Sequence, residues 1–404
     1  MTHTIQLNLI QTVALAAFLC FFGEKLLDRI FILRRYNIPA AVIGGLIFAA
    51  VAALLQWQHL VLFHYDTNLQ NPLMIAFFTT IGLSASLKLL KQGGPQVVQL
   101  LILSSLIAVL QNGMGVLVAK GLDVHPLLGI ICGSVTLMGG PATGAAFGQQ
   151  IEQQYGMNGA IPMALAAASF GIIVSGLLGG ATGSRLIRKH RFGPATGIRR
   201  EFLINLETCD PQKPIKGELN ARSIMEILLF ILGLMWGGGI IGSWAGKYFT
   251  MPAYIGSMVL AAIMRNINDH YLWVQLSDGI VNRIGSICLA LFLAMLLMTL
   301  PLQNLFQLMA PMLIILCLQT LLMVLLAYWI TFRWMGGDYD AAVMVAGHVG
   351  FGLGTTANAV ANMEALADRY GPAPRAFLVL PIVGAFFIDF TNSLIISAFI
   401  HWVA

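Results

Sequence analysis

Charge is scarce in this chain. Asp, Glu, Lys and Arg make up 10% of 404 residues, against 58% hydrophobic, whereas soluble domains run at about 25% charged. That deficit excludes an ordinary soluble enzyme. It also removes nucleic acid as a partner, because the formal net charge of +5 comes mainly from loops and reports orientation and contact with anionic lipid. Cysteine is sparse too. Cys20, Cys132, Cys209, Cys288 and Cys317 show no CxxC spacing, and four of them lie in apolar segments, where a small buried hydrophobe is the expected role. A disulfide framework and a zinc site are therefore not expected. The catalytic signatures of an intramembrane protease and the Walker A loop of an ATP-driven pump are absent as well, so the chain is not read as an enzyme. No Lys or Arg precedes the first apolar run, which is expected to be a retained helix and not a cleaved signal.

What is present is apolar sequence, at a mean hydropathy of +0.82. Stretches long enough to cross a bilayer recur at 7–23, 37–57, 96–119, 159–187, 223–246, 309–332 and 374–402, since about 20 apolar residues span the hydrocarbon core. The fold class expected is an all-α polytopic membrane protein.

Two glycine-rich, charge-free runs interrupt this pattern. The first is Gly133-Ser134-Val135-Thr136-Leu137-Met138-Gly139-Gly140-Pro141-Ala142-Thr143-Gly144, and the second is Gly347-His348-Val349-Gly350-Phe351-Gly352-Leu353-Gly354-Thr355-Thr356-Ala357-Asn358. Gly133 maps onto Gly347 and Gly140 onto Gly354 with one offset. Each glycine costs a helix about 1 kcal/mol relative to alanine. Broken backbone inside a bilayer survives only where protein or a watery cavity satisfies it. Matching breaks in two halves point to a solute and ion site at the midplane.

Other echoes keep the same order. Ile38-Pro39-Ala40 resembles Met251-Pro252-Ala253, Gln111-Asn112 resembles Gln319-Thr320, and Tyr155-Gly156 resembles Tyr370-Gly371. The chain is read as a tandem duplication: repeat one over 1–187, a polar cytoplasmic linker over 188–222, and repeat two over 223–404. Each repeat is expected to hold five spanning helices and one re-entrant hairpin, at about 127–150 and 339–363. Five is odd, so the repeats are inverted. With both termini outside, every Lys and Arg except Lys120 and Lys247 falls on the cytoplasmic side, as the positive-inside rule asks.

Polar groups at membrane depth are costly and default to functional candidates. The hairpin tips offer Gly139, Gly140, Thr143, Gly144, Gly352, Gly354, Thr355, Thr356 and Asn358 for a substrate. A helix starting after each break would aim free N–H groups and a positive dipole end at an anion. Gln111, Asn112 and Gln319 lie inside long apolar helices and are assigned to the same site, with interhelical packing as the bland alternative. Asp389, near the middle of 374–402, with Asn392 one turn on and Asn362, is assigned to sodium; a protonated or capped structural Asp is the competing reading. His348 reads as a hydrogen-bonded structural histidine. Glu152, Glu364, Asp368 and Arg369 read as solvated charges at the hairpin exits.

Across nearly its whole length the chain resembles the bacterial sodium/glutamate symporters. The resemblance is carried by 71–83 (NPLMIAFFTTIGL), Thr143-Gly144-Ala145-Ala146, Tyr339-Asp340-Ala341-Ala342-Val343, 347–354 (GHVGFGLG), Ala361-Asn362-Met363 and 383–389 (VGAFFID). It implies ten spanning helices with two re-entrant loops, and uptake of L-glutamate driven by sodium. It further implies a homodimer in a bacterial inner membrane. Two places depart from the family pattern. Pro141-Ala142 stands where a His-Gly pair follows the double glycine, and Thr356-Ala357-Asn358 stands for a Thr-Pro-Thr stretch. Another small carboxylate or amino acid is the alternative substrate, and a passive anion channel or exporter is the alternative activity.

Overall fold

The computed structural model describes residues 3–30, 39–58, 60–88, 94–192, 221–245, 253–271, 273–274, 276–299 and 309–403. Most of the linker, with the charges expected there, lies outside the described residues. So do Ile38, Met251 and Pro252 of the proline echo.

Strand β1 (His3–Leu7) leads into helix α1 (Leu9–Arg29), which Asn8 caps: its side chain accepts from Gln11 N at 2.9 Å while Gln11 Oε1 accepts from Asn8 N at 3.0 Å. Helix α2 (Ala40–Trp57) returns the chain to β2 (Val61–Tyr65), which pairs in parallel with β1, His3 opposite Val61 and Leu7 opposite Tyr65. That small sheet was not legible as sequence pattern. Helices α3 (Gln70–Ser84) and α4 (Pro95–Gly121) follow.

The first glycine run then breaks the chain. Helix α5 (Pro126–Ile130) passes into a π turn (Ile131–Val135), and α6 (Gly140–Tyr155) begins after the gap. Helix α7 (Ala160–His190) closes the first half with 31 residues. At 1.5 Å rise it is about 46 Å long, which exceeds the hydrocarbon core of about 30 Å. Arg188, Lys189 and His190 occupy its last turn, where cations complement the helix dipole.

The second half holds α8 (Ala221–Ala245), α9 (Ala253–Tyr271), α10 (Asp278–Met298) and α11 (Met309–Leu326), which continues through a π turn (Ala327–Thr331). The second run is broken between α12 (Tyr339–Leu353) and α13 (Thr356–Tyr370). Helix α14 (Pro374–Ile382), carrying Pro381, passes through a π turn (Val383–Phe387) into α15 (Ile388–Val403). Proline removes a ladder hydrogen bond, and π turns gather where the ladder is disturbed.

Among the described residues six helices are long and apolar enough to cross a membrane: 9–29, 95–121, 160–190, 221–244, 278–298 and 309–334. The 40–56 and 388–403 helices are apolar but shorter. This is a multi-pass helical membrane protein.

Packing sorts the helices into two bundles. The first three of each half, α1–α3 and α8–α10, pack together, and so do α4–α7 with α11–α15. The principal contacts between bundles are α6 with α10, α9 with α15, and the 383–387 turn with α3. An aromatic group bridges them: Tyr254 on α9 stacks on Phe78 of α3 at 3.7 Å and meets Phe147 of α6 edge-on at 6.0 Å.

Candidate functional site: two broken hairpins

Both glycine runs do break, and each break starts a helix. In the first, Gly133 leaves helical geometry (φ −96°, ψ −138°) and Gly140 takes a positive φ of 66°, a conformation open to glycine and costly for other residues. Pro141 sits in the first turn of α6, where its missing N–H is harmless. In the second, α12 stops at Gly354 (φ −148°, ψ −107°), and Thr355 caps α13 by accepting from Asn358 N at 3.4 Å. Both second arms run further than the expected hairpin ends. They stop at Gly156 and Gly371, both at positive φ, so the echoed Tyr-Gly pairs are helix stops.

The tips touch. A Cβ placed on Gly140 would lie 3.5 Å from the Gly354 carbonyl oxygen and 3.6 Å from Thr355 Cγ2. The N-termini of α6 and α13 therefore lie side by side, an arrangement in which free N–H groups could meet an anion.

Buried amides hold the arms. The Gln111 amide on α4 donates to the Gly352 carbonyl at 3.0 Å, and the Gln319 amide on α11 donates to the Gln111 carbonyl at 2.6 Å. Ser134 N donates to Asn112 Oδ1 at 2.9 Å, while the Asn392 amide donates to Ser134 O at 3.0 Å. On the second hairpin, the Asn358 amide donates to Ile172 O (2.7 Å) and Ser175 Oγ (2.8 Å), the Asn362 amide to Ser175 O (3.0 Å), and Thr356 Oγ1 to Gly384 O (2.6 Å).

The expected residues thus fall into groups. Gly139, Gly140, Gly354, Thr355 and Thr356 form or flank the tips; a Cβ on Gly139 would clash with Thr143, which is buried in the first turn of α6. Gly144 faces Ala164 of α7. Gln111, Asn112, Gln319 and Gly352 belong to the bracing network. Asn392 joins the first hairpin, whereas Asn362 is committed to α7. Asp389 is half-buried, and its carboxylate bonds no described side chain; it faces Tyr254 across the bundle boundary. Among the described residues no group of three or more His, Cys, Asp or Glu stands ready for a metal.

His348 is structural, as expected: its ring nitrogens lie 3.1 Å from Ser104 Oγ and 2.9 Å from Thr331 Oγ1. Glu152 is not a free loop charge, since it accepts from Ile161 N at 3.0 Å at the start of α7. The foot of the second hairpin is clamped likewise. Arg375 pairs with Asp338, the Asp340 carboxylate accepts from Arg375 N (3.0 Å) and Ala376 N (3.1 Å), and Tyr339 donates to Gly371 O at 2.5 Å. Arg188 Nε donates to the Tyr370 hydroxyl at 3.2 Å, and this hydrogen bond holds the exposed phenol below its usual range. Ser134, Ser175 and Tyr254 escaped the sequence reading, because a serine or tyrosine in an apolar helix carries no signal until its neighbours are known.

The family profile described as sodium/glutamate symporter matches residues 5–372. The chain belongs to the sodium/glutamate symporter family. A sodium/glutamate symporter of Escherichia coli strain K12 is 38% identical over 399 residues, covering 98% of each chain, and one from Shigella flexneri matches to the same extent. One from Haemophilus influenzae is 37% identical over 390 residues, covering 96% of each. These relatives carry the name of a transporter and not of an enzyme. Pro141-Ala142 and Ala357-Asn358 therefore sit within a family member at the tips themselves.

Proposed function

We propose that this chain imports L-glutamate by sodium symport, through alternating access, in a bacterial inner membrane. The observation that carries the reading is Gly140 against Gly354 and Thr355, with a helix N-terminus opening at each tip. No lysine or arginine belongs to these tips, so the substrate carboxylates rest on backbone N–H groups and on Thr143 and Thr355, while Thr356 and Asn358, whose hydrogens go to Gly384 O, Ile172 O and Ser175 Oγ, hold the tip in shape. Gln111, Asn112 and Gln319 stand behind them and fix the arms. Asp389 and Asn392 hold sodium, with Asn362 fixing the neighbouring arm. Each positive charge entering down 100 mV is worth about 2.3 kcal/mol, enough that several sodium ions per substrate give steep accumulation.

The halves are inverted repeats over 1–187 and 223–404, joined by the 188–222 linker. The hairpins are re-entrant from opposite faces, and both termini are periplasmic. The bundle holding both hairpins moves against the bundle of α1–α3 and α8–α10, across a boundary with few principal contacts. The protein works as a homodimer within the lipid bilayer.

The test is radiolabelled glutamate uptake into proteoliposomes under an imposed sodium gradient, a proton gradient, or none. Accumulation only with sodium is expected. Equal uptake in all three arms would replace symport with a passive path. Uptake of another carboxylate but not glutamate would assign the specificity to the altered tips.

A further inference from the structure

The last turns of α7 open onto a pocket of about 620 Å³, lined by Ala181, Ser184, Arg185, Arg188 and Lys189. The three cations stand at i, i+3 and i+4, so their side chains share one face of the helix, where like charges repel. No acid on the same helix offsets them. Neither α7 nor α11, which packs against it, contains an Asp or Glu. Arg185 is exposed and bonds no described residue. Arg188 Nε donates to the Tyr370 hydroxyl at 3.2 Å, and Lys189 Nζ donates to the Tyr328 hydroxyl at 3.3 Å. Each of these bonds uses one hydrogen, so most donors on both side chains are left for an anion.

Below the cations the same helix turns apolar. Ile173 (36% exposed), Leu177 (52%) and Ala181 follow one another at four-residue steps and lead to Arg185, a row inclined to the helix axis. From Ile173 to Arg185 that row is about 18 Å long. It therefore joins hydrocarbon depth to the headgroup level. Exposed tryptophans mark that level, and Trp329 (55% exposed) adjoins the Tyr328 that Lys189 holds. A free phosphate would meet the cations alone, whereas a lipid meets both the cations and the row.

We propose that this pocket binds the phosphate of an anionic phospholipid from the cytoplasmic leaflet. Arg185, Arg188 and Lys189 meet the phosphate, and one acyl chain lies along Ala181, Leu177 and Ile173. Arginine and lysine near a leaflet surface favour anionic lipid, and the basic end of α7 belongs inside by the positive-inside rule. Tyr370 ends α13 and Tyr328 belongs to the turn of α11. The bound lipid thus joins the foot of the second hairpin to α7, far from the tips.

The site stands apart from the transport reading, and its test needs no uptake. The full chain is purified in neutral detergent and titrated with phosphatidylglycerol or phosphatidylcholine, and native mass spectrometry counts the lipid retained. The variants are Arg185→Gln, Lys189→Gln and, as control, Arg283→Gln, which removes an exposed cation of α10 in the other bundle. Melting curves in phosphatidylcholine alone report folding; should Arg185→Gln fail to fold, Lys189→Gln, which keeps a donor for Tyr328, carries the test. Phosphatidylglycerol should bind the parent in preference to phosphatidylcholine. Arg185→Gln should weaken it about fivefold, the worth of one basic group at a lipid surface, and Arg283→Gln should leave it unchanged. Equal affinity in the parent and Arg185→Gln overturns the site. Equal weakening by Arg283→Gln overturns it too, since the attraction is then that of the whole surface. Displacement of the lipid by inorganic phosphate at matched ionic strength would assign the pocket to a free anion instead.

Discussion

The Gln111 side chain reaches from α4, in the first half of the chain, to the Gly352 carbonyl on α12 in the second, at 3.0 Å. A helix of one half thereby satisfies the backbone that the glycine run of the other half disrupts. Neither hairpin stands on its own half alone.

Gln111→Ala leaves the Gly352 carbonyl buried without its donor, which costs about 1–3 kcal/mol. Uptake should fall with a glutamate KM raised by on the order of tenfold, since 1.4 kcal/mol is a factor of ten. Asp389→Asn should instead weaken sodium dependence, and by more than Gln111→Ala does. Titrating uptake against sodium for both variants separates the two; equal sodium affinity in parent and Asp389→Asn removes Asp389 from the ion's path.

Gly140→Ala meets one obstacle, the positive φ, since its Cβ would reach the Gly354 carbonyl oxygen at 3.5 Å, an ordinary van der Waals contact. The left-handed backbone alone costs a residue with a side chain roughly 1–2 kcal/mol. Transport should drop well below a tenth of the parent while expression and monodispersity persist. Normal uptake by this variant would show that transport does not depend on the left-handed backbone at the first tip.

Asn358→Asp replaces an amide that donates to Ile172 O and Ser175 Oγ by a carboxylate that can donate to neither and repels the Ile172 carbonyl. It also sets a negative charge beside the proposed anion site. Thermal stability should fall by roughly 1–3 kcal/mol, and the glutamate KM should rise more steeply than for Asn358→Ala. A smaller KM effect in the aspartate variant than in the alanine variant would place the substrate elsewhere.

His348→Phe removes the hydrogen bonds to Ser104 and Thr331 in a fully buried position. Stability should drop by about 1–3 kcal/mol, counting the stranded Thr331 hydroxyl, since Ser104 keeps its bond to the Leu100 carbonyl at 2.7 Å. The shape of the sodium curve and the ratio of uptake at pH 6 and pH 8 should stay those of the parent. A changed pH ratio would promote His348 from brace to proton carrier.

Bundle motion has its own test at Phe147 and Tyr254, whose rings meet at 6.0 Å across the boundary. A Phe147→Cys/Tyr254→Cys pair, bridged by a short bifunctional maleimide, should abolish uptake, while each single variant treated alike keeps it. Full uptake by the bridged protein would mean that this boundary does not slide.

Much of this was legible in the sequence for physical reasons. Long apolar runs have one stable solution in lipid, so most spans announced themselves, the 278–298 helix excepted, and the glycine runs announced their own breaks because helices tolerate glycine poorly. The aligned offset of the two runs paired Gly140 with Gly354 as equivalents, but their contact showed only in the packing. Ser134 and Tyr254 were silent, since what distinguishes them is which neighbour stands opposite, a fact fixed by packing between distant segments. Pairing of β1 with β2 was silent too, because five residues at each edge of an apolar helix carry no usable period. Glu152 misled for a related reason: a glutamate near a helix end looks solvated until the next helix starts against it.

Opening two helix starts onto one point has a consequence for how such a protein changes over time. On the proposed reading, the pull on a carboxylate comes from peptide groups, which every residue shares and no point substitution deletes. The choice among acids is left to a handful of side chains around 141–143 and 355–358. A lineage can therefore exchange one acid for another by altering those few positions, and keep its uptake of acids throughout.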